Sequence, residues 1–547
     1  MKRLPACLLS LALSGVAVPA RAHDEPAAGR PPERLGKVEF SVSCSAAAQQ
    51  EFNRAMALFH SFWFEPAKRS FARVLELDPA CGMAHWGTSV MSMGNPFGWA
   101  PNPNTSKLGA PAAEAAQRTG AGSERERDYI VALGIFFKDW QTVAFRPRAL
   151  AFERAMEVLA AKYPQDDEAQ ILYALALNIT ALPTDKTFAN QAKAAQILEP
   201  LFARHPDHPG VAHYLIHTYD YAELAGKGMV SANAYGRIAP SVPHALHMPS
   251  HIYSRVGRWG DMVESNRASY LAARAELKAG STLNVGGYDA LHAMDYLVFG
   301  HLQLAQDQAA RKLMDAAAAL RLASIENQAA TYALAAIPAR YAVERNDWAR
   351  AATLKLAPDD VAWSRFPQSE AILVFARALG AARSGQLDAA RADAERLRAL
   401  REAMLAAKNA YWAGQAEFQI KAADAWIALA DKRGDEALAL MRAAADAEEA
   451  SDKSPVTPGN IVPSRELLGE MLLALDRPRE ALAEFERSLQ RDPHRFRGLA
   501  GAARAAEAAG DVHTARQHYA ALLAQGADGD AARPELARAR AFLARRS

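Results

Sequence analysis

RPREALAEFERSLQRDP, residues 477–493, decides the fold because it returns. AGDVHTARQHYAALLAQ, residues 509–525, places Ala515, Tyr519 and Leu522 where the first segment has Ala481, Phe485 and Ser488, each 34 positions later. Near the other end of the chain, EPAKRSFARVLELDPA (residues 65–80) sets Ala67, Phe71, Val74 and Pro79 at the matching offsets. Pro79 and Pro493 stand just beyond the second helix of their units, where a chain that must turn loses nothing by lacking an N–H.

A 34-residue period of helix, turn and helix is that of the tetratricopeptide (TPR) repeat. One such pair cannot bury its own apolar face, so pairs stack into an α-solenoid with a concave side. The intervening sequence is rich in Ala, Leu, Arg and Glu, with apolar residues at helical spacing and no run of strand alternation. Gly257 and Trp259, in SRVGRWGDMVESNRASY, mark a hairpin turn and predict helices over 243–256 and 260–275. ALGAARSGQLDAARADAERL and YALAAIPARYAVERNDWARAATL read as further hairpins. The class is all-α, a TPR-like array. It is divided into a polar, Pro-rich lead (23–40), a helical region carrying most of the histidines (41–330), more hairpins (331–460) and the clear repeats (461–547). Two Pro/Gly/Asn stretches interrupt it, Met93–Pro111 and Asp452–Ser464, each long enough to cover or shape a site.

The chain opens MKRLPACLLSLALSGVAVPARAHDEP. Lys2 and Arg3 precede an apolar run from Leu4 to Val18 and the small-residue site Ala20-Arg21-Ala22, the pattern of a secretory signal peptide cleaved after Ala22. The run is short for an uncleaved membrane anchor, and no other stretch is long and apolar enough to span a bilayer. The expected location is the periplasm. Loss of Lys2, Arg3 and Arg21 takes the formal charge from +2 to −1, which removes any basic bias towards nucleic acid or anionic lipid. Cys7 leaves with the leader. Cys44 and Cys81 remain, and in an oxidising compartment they are expected to form a disulfide.

Of 15 histidines, seven lie between His205 and His251. VAHYLIHTYDYAE places His213, His217 and Asp220 on one helix face. PHALHMPSHIY repeats the four-residue spacing in His247 and His251, with His244 three before. Pro249 lies between them and predicts a kink, or a new helix starting there. Imidazoles from adjacent helices are ligands for copper or zinc, with iron as a third option. His213, His217, His247 and His251 are the expected ligands, with His244 and His60 as further candidates. Asp220 is the expected orienting group or general base, and His244 or His292 the proton carrier. His205 and His208 read as turn residues, and His85 as a weaker candidate. Arg340 and Tyr341, after Pro338, read as a solvated helix face or an anion contact. No P-loop, dinucleotide fingerprint, nucleophile elbow or HExxH is present, so no nucleotide cofactor is expected.

Three stretches carry a family resemblance: FNRAMALFHSFWFEPAKRSFARVLELDPACGMAHWG, HPGVAHYLIHTYDYAELAGKG and IAPSVPHALHMPSHIYSRVGRW. They resemble a group of bacterial, often exported, TPR-containing proteins, as do YDALHAMDYLVFG and SPVTPGNIVPSRELLGEMLLAL. The resemblance covers most of the chain and implies a helical-repeat fold. It marks His60, His213, His217, His244, His247, His251 and His292 as motif positions, and it brings no settled reaction. The family pattern often has a histidine before PVTPG, where this chain has Ser454. The expected function is a binding scaffold built around a His-rich metal or ligand site, with a peptide, protein or small molecule in the concave groove. The alternatives are a metal-dependent periplasmic oxidoreductase or hydrolase, and a protein–protein scaffold without metal.

Overall fold

The computed structural model describes residues 33–95, 97, 103–276, 285–320, 327–530 and 532–545. The segment expected to be a signal peptide and most of the polar lead lie outside them. Leu35–Ser547 forms one compact unit. Its described residues are helices and connections, with no β-strand among them. Many helices pack on their neighbours in sequence, as Ala46–His60 does on Phe64–Leu77 and Phe496–Ala508 on Val512–Gln525, while Gln328–Val343 packs chiefly on the next-but-one helices Val285–Gln303 and Pro367–Arg383. This is the TPR-like all-α array expected from the period.

The repeat contact itself recurs at both ends. Phe71 is fully buried against Gly87, and Phe485 against Gly501. A Cβ on either glycine would stand 2.1 or 2.2 Å from the phenyl ring. A large ring on one helix therefore demands a bare backbone on the next, sixteen positions on, in both units.

The last repeats also pack back on the middle of the chain. The Trp259 indole donates to the His494 carbonyl (2.7 Å), the Phe496 N–H donates to Gln303 Oε1 (2.9 Å), and Arg533 pairs with Asp307 (2.8 Å). The turn at Gly257 and the helix Trp259–Glu276 stand as the sequence predicts. Of the expected covering loop Met93–Pro111, the second half is helical: Pro103–Thr119 is a helix with Pro111 inside it.

Arg340 departs most from its sequence reading. It is fully buried rather than solvated or poised for an outside anion. Its guanidinium donates to Asp295 Oδ1 (2.8 Å), Thr457 Oγ1 (2.7 Å) and the carbonyls of Gly459 (2.8 Å) and Asn460 (3.1 Å). A buried cation needs this many acceptors, and the polar loop 452–464 supplies them. Arg340 therefore holds that loop in place.

Cys44 and Cys81 are bonded, tying the entry segment to the start of the helix Gly82–Met91 across 37 positions. By loop entropy this stabilises the fold by about 4 kcal/mol. Replacing both by alanine is expected to lower the unfolding free energy by about 2–4 kcal/mol in denaturant titration. An unchanged midpoint would contradict that role.

Candidate metal centre

The helix Pro209–Tyr219 begins at a proline in its first turn, capped by the His208 ring, whose Nδ1 accepts the Val211 N–H (3.3 Å). Every residue of this helix is buried. Its polar stripe, His213 and His217, therefore has only protein to face. Pro243–His247 and Pro249–Arg255 are two short helices joined at Met248, which keeps right-handed helical dihedrals. Pro249 removes one N–H, and His251 N bonds back to the Met248 carbonyl (3.1 Å) in a tightened turn. The kink and the new start are thus one feature. His292 arrives on Val285–Gln303.

Six of these histidines gather into two sets: His213, His217 and His244, and His247, His251 and His292. Within each set one ring nitrogen per residue lies within 4.8 Å of the others. Two members of each set are buried and one, His244 or His292, is half-buried. The rings of His217 and His251 are centred 5.9 Å apart, and those of His244 and His247 6.0 Å apart, so the sets adjoin.

Hydrogen-bond partners decide where the protons sit. Burial alone would raise the Asp220 carboxyl, but Lys453, Arg255 and His251 outweigh it and hold it well below the usual carboxylate range. An ionised carboxylate only accepts, so His251 Nδ1 carries the proton it shares with Asp220 Oδ2 (2.9 Å). Asn266 spends its N–H on the Met262 carbonyl (2.8 Å), which leaves Oδ1 to accept from His247 Nδ1 (2.7 Å). Both neutral rings therefore present a bare Nε2, and the two Nε2 atoms face each other at 3.0 Å. Protonating either would relieve the clash of lone pairs. Burial opposes that and keeps both rings below their ordinary pKa, His247 well below. In the other set, His213 Nδ1 donates to the His60 carbonyl (2.6 Å), so its Nε2 is also bare and faces His244 Nε2 at 3.2 Å. His217 Nε2 and His292 Nδ1 are buried and find no partner among the described residues.

His60 belongs elsewhere. It, Glu168 and His208 form a third, fully buried group with metal-like spacing. There the protons balance. Glu168 accepts from His60 Nε2 and His208 Nε2 (3.0 Å each), Tyr214 donates to His60 Nδ1 (2.9 Å), and His208 Nδ1 takes the Val211 N–H. With every nitrogen satisfied, this triangle braces the fold. His208 is thus the turn residue before Pro209 that the sequence predicts, its N–H bonded to the His205 carbonyl (3.1 Å), and it is also a buried cap. His85 lies beside Arg118, outside all three groups.

Sequence reasoning missed several neighbours. Lys453 reaches in from the Arg340-held loop to Asp220 (3.1 and 3.2 Å). Burial lowers its pKa to about 8, with Asp220 opposing. Its neighbour Ser454 turns its hydroxyl to the Val456 N–H (3.3 Å). Arg255 donates to the Asp220 carboxylate and carbonyl and pairs with Asp452 (3.0 Å). Phe97 stacks on His217 (3.9 Å between centres), Phe62 on His244, and Tyr296 packs on His247 and His251. An i, i+4 pattern flags ligands. It gives no sign of Asn266, 19 positions from His247, or of the His60 carbonyl, 153 positions from His213, which fix their tautomers.

No protein-family model and no curated protein matches the chain. Among solved structures it is similar to the human IFIT1 dimer with m7Gppp-AAAA, at 11% identity over 78% of this chain and 87% of that one, with a TM-score of 0.34. It is also similar to the APC/C hetero-tetramer Cut9–Hcn1, at 12% identity over 85% and 77%, with a TM-score of 0.33. At such identities the likeness is one of fold alone.

Burial holds His213, His217, His244 and His247 well below 6.5 and His292 at about 3. In the unfolded chain these rings titrate near 6.5, so below that pH the unfolded state binds more protons. Stability is full above pH 6.5 and falls as pH drops towards 3, by up to about 1.4 kcal/mol per ring per pH unit. With chelator present, the urea midpoint is expected to fall steeply from pH 7 to 5. A flat profile would show that the rings charge freely in the fold.

Proposed function

We propose that this protein is an exported helical-repeat scaffold that holds a transition-metal centre through the Nε2 atoms of its central histidines. The observation that carries this reading is the His247–His251 pair, two bare nitrogens 3.0 Å apart with both outer nitrogens already donating. Two imidazoles bound to one ion at about 2.0–2.1 Å stand about 3 Å apart, and hydrogen-bonded outer nitrogens are the usual support of histidine ligands. A cation satisfies at once what protonation can satisfy only against burial. Imidazole-only ligation suits copper and zinc, with iron less favoured where no carboxylate joins the set.

Export is supported by the leader pattern and the Cys44–Cys81 bond. Among the described residues no helix is long and apolar enough to cross a membrane.

A second reading, catalysis, is favoured by one feature. Each set supplies three histidines, one of them half-buried, which leaves a coordination position open as catalytic rather than structural sites do. His244 and His292 are then its least buried rings, Lys453 is the group able to trade a proton near neutral pH, and Asp220 orients His251.

The test is elemental analysis of the full-length exported protein after repletion with copper, zinc or iron and removal of excess. Wild type is expected to retain about one equivalent or more, and His247→Ala/His251→Ala to lose at least half of it. Wild-type metal below about a tenth of an equivalent would contradict the proposal.

A further inference from the structure

We infer that the six histidines form a two-ion centre that holds a pair of adjacent copper ions, and that this pair takes a small bridging anion when both ions are divalent. The inference rests on the metal reading above and goes past it in number, identity and ligand.

Number follows from grouping. One octahedral ion would bring all six ligand nitrogens within about 4.2 Å of one another at metal–nitrogen distances near 2.1 Å. The nitrogens instead fall into two separate sets of three, each closed within 4.8 Å. Each set has its own short contact, His213 Nε2 to His244 Nε2 at 3.2 Å and His247 Nε2 to His251 Nε2 at 3.0 Å. Each also has its own buried, unpartnered nitrogen, on His217 and His292. Neither set borrows from the other to be complete.

Identity follows from ligand type and charge. Six neutral imidazoles add no negative charge. The carboxylate touching the cluster, Asp220, is already shared among His251, Arg255 and Lys453. Among the described residues no other carboxylate is hydrogen-bonded to the six rings, so two divalent ions would bring a charge of four with no further bonded anion to offset it. Copper relieves this in two ways. As a monovalent ion it halves the charge and accepts three soft or borderline ligands. As a divalent ion it is the strongest binder of the first-row series. In the divalent state the remaining charge calls for an anion, and three histidines per ion leave each a coordination position for one to fill. Hydroxide, azide or another small anion fits that role.

The experiment uses the full-length protein, stripped with chelator and loaded with Cu(II), with azide as the anionic probe. Mass-spectrometric metal analysis is expected to give two equivalents in wild type and one in His217→Ala and in His292→Ala. The Cu(II) electron paramagnetic resonance signal of wild type is expected to integrate to well under two spins because the ions couple. Azide should change that coupling, and each variant should restore a full single-copper spectrum. The wild-type spin count needs no variant, so a misfolded substitution leaves it readable. One equivalent in wild type with a full one-spin signal would overturn the pair while leaving the metal reading intact. Two equivalents with two uncoupled spins would also overturn it. Binding below about a tenth of an equivalent would remove both readings together.

Discussion

The Asp220 carboxylate is the constraint on which the rest of the centre depends. It stands at the end of the helix Pro209–Tyr219, and it fixes the His251 tautomer, anchors Arg255 and receives Lys453. Arg255 passes the connection to Asp452, and Lys186 pairs with Asp452 in turn (2.7 Å). Three distant parts of the chain are thereby tied at one buried anion. Because its charge is held by three cations or donors, it stays ionised where burial alone would neutralise it. A carboxylate that cannot take the proton forces His251 to keep it on Nδ1, which bares Nε2. The tautomers of the cluster thus follow from electrostatics one layer outside the rings.

The contrast with His60, Glu168 and His208 shows how groups of equal spacing differ in proton balance. All three groups bring one nitrogen or oxygen per residue within 4.8 Å of the others, and the Glu168 group is the more buried. What separates them is proton balance. In the Glu168 triangle every donor meets an acceptor, so the folded state is complete as it stands. At His247 and His251 two acceptors meet with nothing between them, and two further ring nitrogens nearby have no partner. Native interiors seldom leave such groups unsatisfied, and the price is highest where water is excluded.

Much of this was legible in the sequence, for reasons that differ by feature. The 34-residue return of Ala481, Phe485 and Ser488 disclosed the fold because repeat packing needs the same contact in each unit. The pairs His213/His217 and His247/His251 disclosed the site because helical geometry converts a spacing of four into one face. The Cys44–Cys81 bond followed from there being two cysteines left to pair. Arg340, Lys453 and Asn266 were not legible. Their roles come from contacts spanning roughly 20 to more than 200 positions, set by how the later repeats pack back on the middle of the chain. The burial of His208 was illegible for a related reason. RHPDHPG reads as a turn, and only the tertiary fold shows that the turn is roofed over.

The most direct measurement of the central claim is X-ray absorption at the metal edge on the protein loaded with one metal at a time. The account predicts nitrogen scatterers at about 2.0 Å with imidazole outer-shell features, and no sulfur shell near 2.3 Å. These features should fall in proportion when His247 and His251 are replaced. A spectrum dominated by oxygen ligands, or one unchanged by those substitutions, would place the metal elsewhere and contradict the account.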